Sequence, residues 1–215
     1  MDYSLSHQRT DRQVKGNFYL FYFLIFFGFG SLFPLLSVYL KDVIGLSGSQ
    51  IGMLMSISPV VMILIQPIWG IFSDATQKPT FLLTGAIVLA AIFGFIYSLT
   101  ENYQLLLVIA TFLAIMQSAV VPLSDSIAIN YVQKTKTEYG SIRLWGAVGF
   151  SISVLVVGQL AESFSMSIIF YTFTIILLIS AVFAYQLPRE SQPMQASIRQ
   201  GLKELVDVPK YFVFL

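Results

Sequence analysis

Asp125 and Arg143 are ionisable groups set in or beside long apolar runs, Asp125 near the end of one run and Arg143 at the opening of the next. An ionisable side chain inside a membrane costs at least a few kcal/mol and faces a cavity, a partner or water. Helical spacing puts Gln117, Val121 and Asp125 on one face, with Ser118 and Pro122 beside them, so this run carries a polar stripe. Gly146, Ala147 and Phe150 follow Arg143 at i+3, i+4 and i+7. A short connection makes the two helices antiparallel neighbours. Arg143 is therefore expected either to meet Asp125 in a charge-assisted hydrogen bond or to share a polar substrate with it. The plainer alternative has both at the interface, with Arg143 reaching lipid phosphates and Asp125 hydrated.

No other constellation competes with this pair. The chain has no cysteine, which excludes disulfides, thiolate catalysis and cysteine metal sites. His7 is the one histidine and lies in a polar tail without the companions that a metal or catalytic site needs. H-E-x-x-H and G-x-S-x-G are absent, so catalytic residues and cofactors are both expected to be none and the chain is read as not an enzyme. A selectivity-filter sequence such as TVGYG is also absent, although a channel or structural membrane subunit stays open as a class. A net charge of +1 supplies no face for nucleic acid.

The elements that must hold the pair are membrane helices. Hydrophobic residues make up 56% of 215, and charged residues only 11% against about 25% in a soluble domain. The apolar runs approach the ~20 residues that carry a helix across a bilayer. They fall near Asn17–Leu40, Ser49–Phe72, Thr80–Leu99, Leu105–Ile129, Leu144–Phe164 and Met166–Leu187. Barrel strands are half this length and alternate in polarity, and an open sheet leaves backbone groups unpaired in lipid. The fold class is thus all-α, with six membrane-spanning helices. Residues 1–15 read as a tail, 16–187 as the helical bundle, 188–210 as a polar loop and 211–215 as the start of a seventh, truncated helix. The first run is too long for a signal core and lacks an A-x-A-like site, so it is read as retained.

Charge placement orients the bundle. Of the 12 Lys and Arg, all but Lys41 fall in the N-terminal tail, the turn at Asp74–Lys78, the loop Asn130–Arg143 and the segment after Leu187. Cytoplasmic loops are enriched in these residues, so the chain is expected to be a multi-pass protein of the cell membrane with the N-terminus and the 188–210 loop on the cytoplasmic side. Pro34, Pro59, Pro67 and Pro122 lie within the runs, where proline bends a helix and helps shape a cavity. Gly146 and Gly149, with Ser153, suit close approach of the fifth helix to another. Tyr19, Tyr22 and Tyr39 are aromatic candidates for a cavity wall or for plain core.

Two segments carry a family resemblance. Gly45-Leu-Ser-Gly-Ser-Gln-Ile-Gly52 through Gln66-Pro-Ile-Trp-Gly70-Ile-Phe-Ser-Asp74-Ala-Thr-Gln-Lys78 resembles the second span and following loop of major facilitator transporters, whose signature is G-x-x-x-D-[RK]-x-G-[RK]. Gly70, Asp74 and Lys78 match, whereas Ala75 and Gln77 replace the basic residue and the glycine. The second segment, Pro122-Leu-Ser-Asp125 through Tyr139-Gly140-Ser-Ile-Arg143-Leu-Trp145-Gly146 to Phe150, is similar to the lactose permease branch, which includes permeases for nucleosides and phenylpropionate. There an acid on the fourth helix and an arginine on the fifth, at this same separation, contact the sugar.

The resemblance implies the N-terminal half of a major facilitator fold, with 3+3 inverted repeats, although residues 17–99 and 105–187 show no convincing identity. It implies Gly70, Asp74 and Lys78 as a gating loop, and Asp125, Arg143, Phe150 and Gln117 as substrate-binding residues. Phe150 stands where the family stacks a tryptophan on the sugar, and Asp125 is shorter than the family's glutamate. The implied activity is secondary transport of a sugar, nucleoside or small organic acid by alternating access, with a proton as coupling ion. The implied partners are the lipid bilayer, the small-molecule substrate and the C-terminal six-helix half. An exporter of hydrophobic compounds is the alternative within the class.

Overall fold

The computed structural model describes residues 2–135 and 137–188. The expected seventh-helix start at 211–215, the loop from 189 on and Lys136 lie outside them. Six helices form the described residues: α1 Asp2–Asp42, α2 Gly48–Thr76, α3 Pro79–Tyr97, α4 Tyr103–Lys134, α5 Tyr139–Ser163 and α6 Ile168–Tyr185. All six are long and apolar enough to cross a membrane, which makes this a multi-pass membrane protein. The helices run past the apolar limits read from the sequence at several ends. α1 is the clearest case, because it extends back through the polar segment assigned as tail.

Local chemistry sets the helix ends. Ser47 and Gln50 form a reciprocal capping box at the start of α2, with the Gln50 Oε1 accepting the Ser47 N–H at 3.0 Å. Asn102 caps α4 by accepting the N–H groups of Gln104 and Leu105 at 3.0 and 3.2 Å. Pro79 opens α3 at the position where its missing N–H costs nothing. The four prolines inside α1, α2 and α4 leave those helices continuous.

The packing order does not follow the chain order. α1 lies along α5 and α6, α4 lies along α2 and α3, and α3 packs on α6. Exchanging α1 with α4, α2 with α5 and α3 with α6 returns the same set of pairings. With three crossings in each unit, the two units run in opposite senses. The inverted 3+3 repeat that leaves no trace of identity in the sequence is therefore written in the contacts.

One expectation is corrected. α4 and α5 were to be antiparallel neighbours, but they touch only sparsely, and α5 spends its small-residue face on α1. The glycines explain this. A β-carbon at Gly149 would collide with the Phe23 carbonyl, and one at Gly146 would lie 2.8 Å from the Phe26 ring, so the two backbones meet where side chains are missing. α1 and α4 barely meet by backbone and are joined by long side chains, among them Phe18 stacked on Tyr131 at 4.9 Å.

The core lies between α1, α3, α4 and α6 and is rich in large side chains. Phe18, Phe21, Tyr22, Phe170 and Phe173 are fully buried. α2 is the opposite case. Val60, Ile63, Leu64, Ile68, Ile71 and Phe72 are all exposed, while the opposite side of the helix packs on α4, where Trp69 Nε1–H donates to the Ile115 carbonyl at 2.9 Å.

Candidate functional site

Asp125 sits on the last third of α4 and Arg143 one turn into α5, so both stand at the end of the bundle where α1 begins. Arg143 Nη1 donates to Asp125 Oδ1 at 2.8 Å and to Oδ2 at 3.1 Å. Both bonds leave from one nitrogen, which turns the rest of the guanidinium away from the carboxylate. The Tyr22 hydroxyl donates to the same Oδ1 at 2.7 Å. The ring of Phe26, one helical turn further along α1, lies beneath the guanidinium with 4.9 Å between its centroid and Arg143 Cζ.

This cluster is open on one side. The side chains of Arg143 and Asp125 are 41% and 24% exposed, while Tyr22 is fully buried behind them. A half-open ion pair keeps donors and acceptors available to a polar molecule, and the aromatic floor excludes water from its inner edge. Three helices contribute, α1 from the first repeat unit and α4 and α5 from the second.

Gln117 and Phe150 are not part of the cluster. Gln117 shares a helix face with Asp125 but lies two turns away, about 12 Å by helix rise. It is buried, and both its amide atoms have no hydrogen-bond partner among the described residues. Phe150 is 37% exposed and two turns beyond Arg143, with its carbonyl against Gly30 of α1. The stripe drawn on α4 is real as a face, but it spans two depths and only one holds the ion pair. Conversely, Tyr22 was legible only as one aromatic among many, and Phe26 was not singled out. Their i, i+4 spacing is lost in a helix where phenylalanine recurs at almost every turn.

Residues 17–215 match the model of the MFS_1-like family. The chain belongs to this family. Among curated proteins, the maltose permease of Geobacillus stearothermophilus is 52% identical over 175 residues, covering 81% of this chain and 44% of that protein. An uncharacterised transporter of Bacillus subtilis, YwbF, is 40% identical over 214 residues, covering 99% of this chain and 53% of that protein. The chain spans about half the length of the curated relatives it matches. Among solved structures, the nucleoside transporter NupG superposes with a TM-score of 0.79 at 18% identity, covering 94% of this chain and 52% of that one. At that identity the likeness is one of fold: this MFS_1-like chain has the architecture of half a major facilitator protein.

The loop signature of this MFS_1-like chain occupies the end of α2. Gly70 faces open space, and Asp74 and Lys78 are exposed on either side of the turn into α3. Gln77 stands where the signature has glycine, and it adopts the left-handed conformation at φ 53°, which favours glycine. Its own side chain compensates: Gln77 Nε2 donates to the Asp74 carbonyl at 2.7 Å, and its N–H donates to the Ser73 carbonyl at 3.0 Å. The turn therefore keeps the shape of the glycine turn with a different residue. A cavity of about 490 Å³ adjoins it, lined by Gln77, Lys78, Pro79, Thr80, Phe81 and Tyr185. This space holds no converging polar constellation comparable to Asp125, Arg143 and Tyr22, so the pair is the candidate site.

Proposed function

We propose that the full-length protein is a secondary transporter of the major facilitator type that carries a small polar solute across the cell membrane by alternating access. The observation that carries this reading is the half-open Asp125–Arg143 pair over the Phe26 ring. A guanidinium edge and a carboxylate side by side offer donors and acceptors to a hydroxyl-rich molecule, as an exporter of hydrophobic compounds would not require. A sugar is the first candidate, in keeping with the maltose permease relative; nucleosides and small organic acids are the next.

In this reading the exposed apolar face of α2, from Val60 to Phe72, packs against the second half of the protein and not against lipid alone. That half closes the cavity over the pair. Asp74 and Lys78 gate the side at which α2 ends, which the charge asymmetry assigns to the cytoplasm. A proton is the proposed coupling ion. The polypeptide of residues 1–215 alone is expected not to accumulate substrate.

The test is ligand-dependent thermal stabilisation of the purified full-length protein with sugars, nucleosides and aromatic acids, wild type beside Asp125→Asn and Arg143→Ala. A ligand bound to the native state raises apparent stability with its occupancy. One class that stabilises the wild type and neither variant supports the reading. A shift that survives both substitutions removes the pair from the site.

A further inference from the structure

Asp125 and Arg143 do not hold their geometry by themselves. Tyr22 and Phe26 project from adjacent turns of α1, and their rings stack with 6.2 Å between centroids and 19° between planes. One of them grips each partner of the ion pair. Tyr22 donates to Asp125 Oδ1, the oxygen that also takes the shorter Arg143 bond, while Phe26 lies under the guanidinium. The four residues form a closed circuit: phenol to carboxylate, carboxylate to guanidinium, guanidinium to phenyl face, phenyl to phenol ring.

The circuit is held at its base. Phe26 fills the space left by Gly146, one turn after Arg143, where a β-carbon would come within 2.8 Å of its ring. Tyr22 is fully buried, with Phe21 edge-on to it at 5.6 Å. The Tyr22 ring is packed on all sides and Phe26 is seated against Gly146, so the carboxylate and the guanidinium each meet a fixed aromatic neighbour.

We propose that Tyr22 and Phe26 are positioning residues for this site: α1 saturates Asp125 Oδ1 and seats the guanidinium, so that a polar solute meets the pair through Oδ2 and the outer guanidinium edge, beside Tyr139 of α5, which lies within hydrogen-bonding reach of both partners. The inference rests on the reading of the pair as a substrate site and adds the two residues that set which hydroxyl geometry the pair accepts. It also gives α1 a share in recognition without a charged residue of its own there.

The test uses the full-length protein in lipid nanodiscs and the arginine reagent phenylglyoxal, which condenses with the terminal guanidinium nitrogens. The modification rate of Arg143 is followed by mass spectrometry, with the exposed Arg12 as internal control. Tyr22→Phe keeps the ring and its stack and removes only the hydroxyl. It is expected to raise the Arg143 rate about three-fold or more, in line with the loss of one ordinary hydrogen bond, at an unchanged Arg12 rate. Phe26→Leu is expected to act in the same direction. An Arg143 rate that rises less than this in Tyr22→Phe overturns the proposal, as does an equal rise at Arg12. Maltose added to the wild type reports separately on the substrate reading: protection of Arg143 supports that reading, and its absence counts against maltose while leaving the Tyr22→Phe comparison intact.

Discussion

Gly30 of α1 lies directly against Phe150 of α5, so close that a β-carbon at position 30 would sit 2.7 Å from the Phe150 carbonyl oxygen. This contact, with Gly149 against Phe23, makes the α1–α5 seam the tightest in the bundle. Gly30→Ala and Gly149→Ala are each expected to destabilise the full-length protein by about 1–3 kcal/mol, the cost of overpacking a well-filled interface. Gly158→Ala, inside α5 with open space around it, is the control and is expected to be neutral or slightly stabilising. Thermal unfolding in detergent reads the difference. Equal behaviour of the three variants would remove the seam as a determinant.

The ion pair predicts an asymmetry between single and double substitutions. Asp125→Asn or Arg143→Gln alone leaves one charge facing aromatic rings without its partner, which destabilises more than losing both charges together. The double variant is expected to melt above either single one, although all three lose solute-induced stabilisation. Additive losses would show that the two side chains do not act as a pair.

Gln77 offers the reverse kind of test. A non-glycine residue in the left-handed region costs about 1–2 kcal/mol, part of which its bond to the Asp74 carbonyl recovers. Gln77→Gly is therefore expected to leave stability unchanged or raise it by up to about 1 kcal/mol, while Gln77→Val lowers it. A clear loss in Gln77→Gly would mean that the side chain has a task beyond the turn.

Trp69 ties α2 to α4 through the Ile115 carbonyl. Trp69→Phe keeps most of the ring and removes the donor, with an expected cost of about 1 kcal/mol. Hydrogen exchange should rise along α2 and stay level along α5 and α6, since α2 packs mainly on α4 and not on those two helices.

Much of this fold was legible in the sequence, because hydrocarbon thickness dictates helix length and the apolar runs report it directly. The meeting of Asp125 with Arg143 was also within reach, since two charges flanking a short connection have few places to go. The neighbours of α5 were not. Short loops suggest that sequential helices pack together, but α5 goes to α1 because backbone contact at Gly30, Gly146 and Gly149 is available there. Gln117 lies apart from the pair for a related reason: helical spacing reports the face and is silent on depth. Tyr22 and Phe26 stayed hidden because an aromatic residue in lipid is ordinary until its partner is known.

The exchanged packing of the two repeats sets an order of events during synthesis. α1 finishes at Asp42, yet the helices that bury its aromatic face, α5 and α6, begin only at Tyr139 and Ile168. At 5–20 residues per second, α1 waits roughly 5–20 s for α5 to emerge, its fully buried positions meanwhile facing lipid or the insertion machinery. The first three helices therefore cannot mature as a unit, and the bundle closes only when the last of its six strands of chain has been delivered.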